Sequence, residues 1–410
     1  MSFYKAPNSL PTSFDASPGP TGPTGRAVIV VTDVGDDIDD AAALVVLLKM
    51  LRAKKIDKLI VITAGEGDHV ARATYCGLLV REVLGYPRTS WTRSLPVLIY
   101  TGVEQGLSNC KYLTDGIRGH MEALPNVVEG TQRILSEASQ AEQVLVLVLA
   151  PMGRGVKALA APLRDMNGKE NTTKFCIMGG ALETTYDGQE KQEAFAEYNV
   201  RKNVPYWKEF VSTCAQNNPC NVLLCPLDAC GAGSRIPAWG QVLKDSPQLF
   251  KYAWDHWLKA QKEKGAGDNP VLTRIEKNDE SQLLFDVRAL YDAVQFMGWD
   301  DDIDQTPYFR LEEILVYTNG MTLMVPRDSE DDIGNAVVVA KRYEVCEDGS
   351  HVETGEVIEA VPDQVKVSMQ PSGEAFRSWT RAWLTKSFAV SKRAREEPSG
   401  EEEAKKSKSE

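Results

Sequence analysis

The sequence lacks any uninterrupted apolar run near the roughly 18 residues that a bilayer-spanning helix requires, so no such helix is expected. Its N-terminus, MSFYKAPNSLPTSF, does not lead from a basic stretch into an apolar one, and no secretory signal is expected there. Cys-x-x-Cys spacing is missing as well. The eight cysteines are scattered over 410 residues, which fits reduced thiols in a cytosolic or nuclear setting rather than a disulfide framework. The gaps between Cys220, Cys225 and Cys230 do not suit a zinc cluster. Positive charge is in short supply: 46 Lys and Arg stand against 58 Asp and Glu, a formal net charge of −12, which argues against a nucleic-acid-binding body. No internal repeat is visible. What remains is the composition of an ordinary globular protein, 43% apolar, long enough for one large domain or two or three smaller ones.

One stretch organises the chain: Val28–Leu48, VIVVTDVGDDIDDAAALVVLL. Val28 to Val31 is a β-branched run without polar partners, as in a buried strand. Five carboxylates then fall within eight positions, Asp33, Asp36, Asp37, Asp39 and Asp40, before an Ala/Leu/Val run that suits a buried helix. One or two aspartates there would be helix caps. Five on one turn repel each other, and such a site becomes tolerable with a bound cation, shared protons or wide exposure to water. Carboxylate oxygens favour hard ions, Ca²⁺ or Mg²⁺, over zinc or copper.

Further apolar segments follow at helix-length intervals: Leu59–Thr63, Pro96–Tyr100, Val144–Leu149, Phe175–Met178 and Asn221–Leu224. Each ends in Gly, Pro or acidic residues. A helical pattern over Val70–Leu84 closes at Gly85, and Trp254–Lys264 and Phe285–Met297 read as further helices. This alternation predicts an α/β domain with a mostly parallel, doubly wound central sheet and the acidic site at the carboxyl ends of its strands. Arg310–Val325 reads as a late hairpin turning at Asn319-Gly320. The expected organisation is a Pro/Ser/Gly-rich disordered lead-in over 1–25, one domain over 26–385, and a charged disordered tail over 386–410. Basic clusters in that tail, Lys392–Arg395 and Lys405–Lys408, form a weak pattern for nuclear import.

The acidic stretch resembles the signature of the inosine–uridine nucleoside hydrolase family, Asp-x-Asp-x-Gly-x-Asp-Asp-Ala-x-Ala-Leu. Asp33-Val34-Gly35 matches the first half, and Asp39-Asp40-Ala41-Ala42-Ala43-Leu44 the second. Val31 stands where an aspartate is frequent, and two extra residues separate the halves, leaving the register of Asp36 and Asp37 open. Four later segments fit in order. Gly67-Asp68 resembles the family's Gly-Asn or Gly-Asp. Leu149-Ala150-Pro151-Met152 stands in the place of its Thr-Gly-Pro-Leu turn. Ile177-Met178-Gly179-Gly180-Ala181 matches IMGGA, and Ala196-Glu197-Tyr198-Asn199-Val200 resembles Ala-Glu-Phe-Asn-Ile. Leu283-Leu284-Phe285-Asp286-Val287 resembles the segment of the last metal aspartate, in a branch that reads Phe-Asp where many members have His-Asp.

The resemblance implies a single nucleoside hydrolase-like domain that hydrolyses the N-glycosidic bond of ribonucleosides with Ca²⁺. It implies Asp33, Asp40, Asp286 and the Leu149 backbone carbonyl as metal ligands and Asp33 as general base. Asp39, Asp68, Glu197 and Asn199 would hold the sugar, with Phe285 beside them. Glu197 and Asn199 alternate, so an extended chain would point both the same way. The implied partner is a small nucleoside, with no nucleic acid or membrane; a homodimer or homotetramer is allowed. An upstream asparagine often present in the family is missing, with Lys191 near its place. A non-catalytic ribose-binding protein of the same fold is the main alternative, favoured by Phe285 and Lys191. A haloacid dehalogenase-type phosphatase needs Asp-x-Asp or Asp-x-Thr, and here Gly35 follows two after Asp33.

Overall fold

The computed structural model describes residues 25–65, 67–85, 96–103, 117, 124–166, 172–181, 185–186, 189–190, 197–216, 218–230, 234–263, 270–299, 309–312, 314–316, 322–324, 343–345, 351–353, 365–368 and 373–387. The lead-in before Gly25, Lys191, the Asn319-Gly320 turn and the basic clusters of the tail lie outside the described residues.

All six apolar segments are strands, β1 (Arg26–Thr32), β2 (Lys58–Thr63), β3 (Val97–Tyr100), β4 (Gln143–Val148), β5 (Thr172–Met178) and β6 (Val222–Cys225). They run parallel in the order β3-β2-β1-β4-β5-β6. Strands covered on both faces can be apolar throughout, which is why these segments read as continuous runs rather than as alternations. The winding direction reverses between β1 and β4. In open α/β sheets such a switch point opens a crevice at the carboxyl ends of the two strands.

Alternate residues of β1 feed two cores, as the pleat requires. Val28 and Val30 pack on one face with helices α1 (Ile38–Arg52) and α2 (His69–Leu84). Ala27, Ile29 and Val31 pack on the other with α3 (Val127–Ser139) and α4 (Val204–Ala215). Helix α1 is buried along Ile38–Leu51 because α2, α6 (Gln248–Glu263, which follows α5, Trp239–Asp245), α7 (Phe285–Met297) and α8 (Gly373–Thr385) surround it, so it needs no polar stripe. Helix α2 stops at Gly85, whose left-handed backbone (φ 78°) closes the last turn.

The sheet is wider than the sequence suggests. Val365–Ser368 forms β8, parallel to β6, and Phe309–Glu312 forms β7, antiparallel to β8 at the edge. Arg310–Glu312 therefore belongs to the main sheet, while Ile314–Val316 pairs antiparallel with Thr322–Met324 as a separate ribbon. These strands are three or four residues long, too short for periodicity to separate from a loop. Among the described residues no helix is long and apolar enough to cross a membrane.

Candidate metal and ribose site

The acidic turn leaves β1 at the switch point, so its carboxylates stand at the carboxyl rim of the sheet. Asp33 follows the strand directly and is buried. Its backbone passes so close to the end of β2 that a Cβ on Gly65 would meet the Asp33 Cβ at 2.8 Å, and Gly65 also has a left-handed φ of 80°. No side chain fits at that position. Asp37 is the N-cap of α1, and Asp39 and Asp40 lie in its first turn, where the helix dipole favours negative charge.

Asp286, in the first turn of α7, completes a group. One carboxylate oxygen each from Asp39, Asp40 and Asp286 lies within 4.8 Å of the others, and all three residues are buried. The Asp286 backbone N–H donates to Asp39 Oδ2 at 3.5 Å, and the Thr32 hydroxyl donates to Asp40. The structure thus gathers Asp39 into this group. Asp33 lies beside it, near enough for its charge to act on Asp40 and Asp286.

Burial is the largest cause that lifts these acids above the usual carboxylate range. Asp33 is pushed up to about 7, with Arg72 opposing and the charges of Asp36 and Asp37 adding. Asp40 is raised by burial and then by Asp33 and Asp39; Asp286 by burial and then by Asp40, Asp39 and Asp33. Three buried carboxylates this close either share protons or take a cation. The donor set is all oxygen, which fits Ca²⁺ or Mg²⁺.

Leu149 follows β4 and its N–H donates to the Val31 carbonyl at 2.8 Å, extending the β1–β4 pairing to the switch point. Its own carbonyl accepts from Asn199 Nδ2 at 3.1 Å. Asn199 and Glu197 are both buried, but not by the alternation of an extended chain. Glu197 is the N-cap of a short helical turn, Tyr198–Arg201, and accepts from the N–H groups of Asn199 and Val200. Glu197 Oε2 also accepts from the Gly180 N–H at 3.2 Å, tying this turn to the glycine pair after β5. A capping carboxylate explains the geometry: its oxygens prefer the orphan donors of its own helix.

Asp68 caps α2, its side chain accepting from the Ala71 N–H at 2.8 Å, and stands outside the three-carboxylate group. Phe285, half-buried at the start of α7, packs against the core beside Asp286.

Two residues escaped the sequence reading. Arg72, fully buried in α2, donates through Nη1 to the carbonyls of Asp33 and Val34 and through Nη2 to Asp36 Oδ2 at 2.7 Å. Trp257 of α6 donates through Nε1 to Asp37 Oδ1 at 3.2 Å. The signal for Arg72 was a basic residue in the first turn of a largely apolar helical pattern. Nothing in the sequence marks Trp257 apart from its neighbours.

No family model matches the chain, and no curated protein matches it. Solved structures do. The effector protein XOO4466 aligns with a TM-score of 0.56 at 14% identity, covering 89% of this chain and 94% of its own. The type III effector protein XopQ, complexed with adenosine diphosphate ribose, aligns with a TM-score of 0.53 at 14% identity over the same shares. The chain shares with them the nucleoside hydrolase-like fold, one mostly parallel α/β domain; in this chain an aspartate cluster stands at the strand ends.

Proposed function

We propose that the chain is a divalent-cation-dependent hydrolase of the N-glycosidic bond in ribonucleosides, with Ca²⁺ as the cation. The observation that carries this reading is the buried Asp39, Asp40 and Asp286 group at the switch point of a nucleoside hydrolase-like sheet. Asp33 and the Leu149 carbonyl stand at the same rim and would complete the oxygen shell. When bound, Ca²⁺ would lower the pKa of a coordinated water and orient ribose hydroxyls.

The chain's own residues supply the rest. Asp33, buried beside the three-carboxylate group, would take a proton from an attacking water. Asn199 and Glu197 line the turn joined to Leu149 and Gly180, and Asp68 lies after β2; these would hold the sugar with C1′ turned to the water. The base must leave with a proton, and Phe285 cannot give one.

The test is release of free base from a panel of purine and pyrimidine nucleosides with Ca²⁺, before and after chelation. Base release that chelation abolishes and Ca²⁺ restores is expected, and so is its loss in Asp286→Ala. A second reading is favoured by one observation, that XopQ is seen with adenosine diphosphate ribose: binding of a ribose-containing ligand without turnover. Calorimetric binding of ADP-ribose with no base released from any nucleoside would select it.

A further inference from the structure

The acidic turn is longer by two residues than the signature it resembles, and the surplus lies between Gly35 and Asp39, where Asp36 and Asp37 stand. Neither carboxylate joins the group formed by Asp39, Asp40 and Asp286. Each is instead engaged by a side chain from a separate helix. Arg72 of α2 meets Asp36, and Trp257 of α6 meets Asp37. Arg72 also holds two consecutive backbone carbonyls, those of Asp33 and Val34, with one guanidinium nitrogen.

We propose that Arg72 and Trp257 are positioning residues that fix the outer half of the acidic turn, so that its inner half presents a preorganised site for one divalent cation. The physical argument turns on sign. A guanidinium near a cation site repels the cation, so charge alone makes Arg72 unfavourable for metal binding. Its planar fork offers something that charge does not, several donors in rigid geometry. Those donors clamp the two peptide groups immediately before Gly35, where the chain turns from β1 towards α1. Burial removes the alternative of water for both the carbonyls and the guanidinium, since Arg72 is 0% exposed. Trp257 does the same for the α1 N-cap, with an uncharged donor set in the aromatic cluster of Trp239, Trp254 and Trp257. The five carboxylates thus divide: Asp36 and Asp37 are held by side-chain donors from α2 and α6, while Asp39 and Asp40 gather with Asp286 and Asp33 stands beside them.

This inference rests on the cation-binding part of the proposed function, and one experiment separates the two. Ca²⁺ binding to the full chain is measured by calorimetry for wild type, Arg72→Met and Trp257→Phe, with unfolding temperatures recorded without Ca²⁺. Positioning predicts weaker Ca²⁺ binding by roughly ten- to a hundredfold in Arg72→Met, the usual effect of losing a partner that orients ligands. Charge alone predicts the opposite, tighter binding once the repelling cation is gone. Trp257→Phe changes no charge and should weaken Ca²⁺ binding by a smaller factor. Affinity unchanged or raised in Arg72→Met, with only a lower unfolding temperature, overturns the inference and leaves the metal site standing. A wild type that binds no divalent cation overturns both. Should Arg72→Met fail to fold, Trp257→Phe decides: unchanged affinity there overturns the proposal.

Discussion

The side-chain amide of Asn199 donates to the backbone carbonyl of Leu149 at 3.1 Å, both residues being buried. The two were expected to serve separately, the carbonyl toward a cation and the amide toward a sugar. In this structure they serve each other, joining the short helix after Glu197 to the end of β4 at the switch point. A carbonyl oxygen has two lone pairs, so this bond leaves one free for a cation.

The Asn199–Leu149 bond gives a stability prediction. Asn199→Leu removes the donor and leaves a buried carbonyl unsatisfied, which typically costs about 1–3 kcal/mol. Denaturant unfolding of metal-free protein is expected to show a loss of that size. A neutral result would mean that water or another donor replaces the amide.

Raised acids give a pH prediction. Asp33 has a folded-state value of about 7 against an ordinary 3.8, so between those values the native state binds the proton more tightly than the unfolded chain. Its contribution to stability is complete below about pH 4 and is lost as pH rises through 7. The slope approaches about 1.4 kcal/mol per pH unit at most. Asp33→Asn removes this term. Metal-free wild type should therefore lose stability relative to Asp33→Asn between pH 4 and 7, as followed by thermal unfolding. Parallel pH profiles for the two proteins would contradict it.

Phe285 yields a prediction about the leaving group. If the chain acts as proposed, it stands at the motif position where a histidine would protonate a departing base, and none of the four histidines falls at that position. A missing general acid costs about 10²–10⁴-fold. The wild type should cleave p-nitrophenyl riboside far faster than inosine or uridine. Phe285→His should raise the rate on natural nucleosides and hardly alter the activated substrate. Equal rates on both in the wild type would show that the base is activated from another side of the site.

Terminal segments are expected to be dispensable. Residues 1–25 and 391–410 lack the apolar content to pack. A chain trimmed at both ends should keep its unfolding temperature and its Ca²⁺ affinity. A fall in either would mean that one of the ends docks on the body.

The sequence by itself determined six of the sheet's strands, because a strand covered on both faces must be apolar throughout and such runs are visible without any partner. It also singled out the acidic turn, whose Asp39 and Asp40 gather with Asp286, since five carboxylates after a buried strand have few physical resolutions. The helix over His69–Leu84 was legible from its period and from Gly85, because capping is a local matter. Tertiary structure alone decided how those carboxylates divide. Asp39 meets Asp286 across 247 residues of chain, and Asp37 meets Trp257 across 220. No periodicity reports a contact at that separation. The same holds for β8, which pairs with β6 although four residues carry too little pattern to identify a strand. Glu197 and Asn199 were found by motif but given the wrong backbone. Alternation of polar residues is compatible with a strand, whereas the buried carboxylate finds its nearest donors in the N–H groups of its own helical turn.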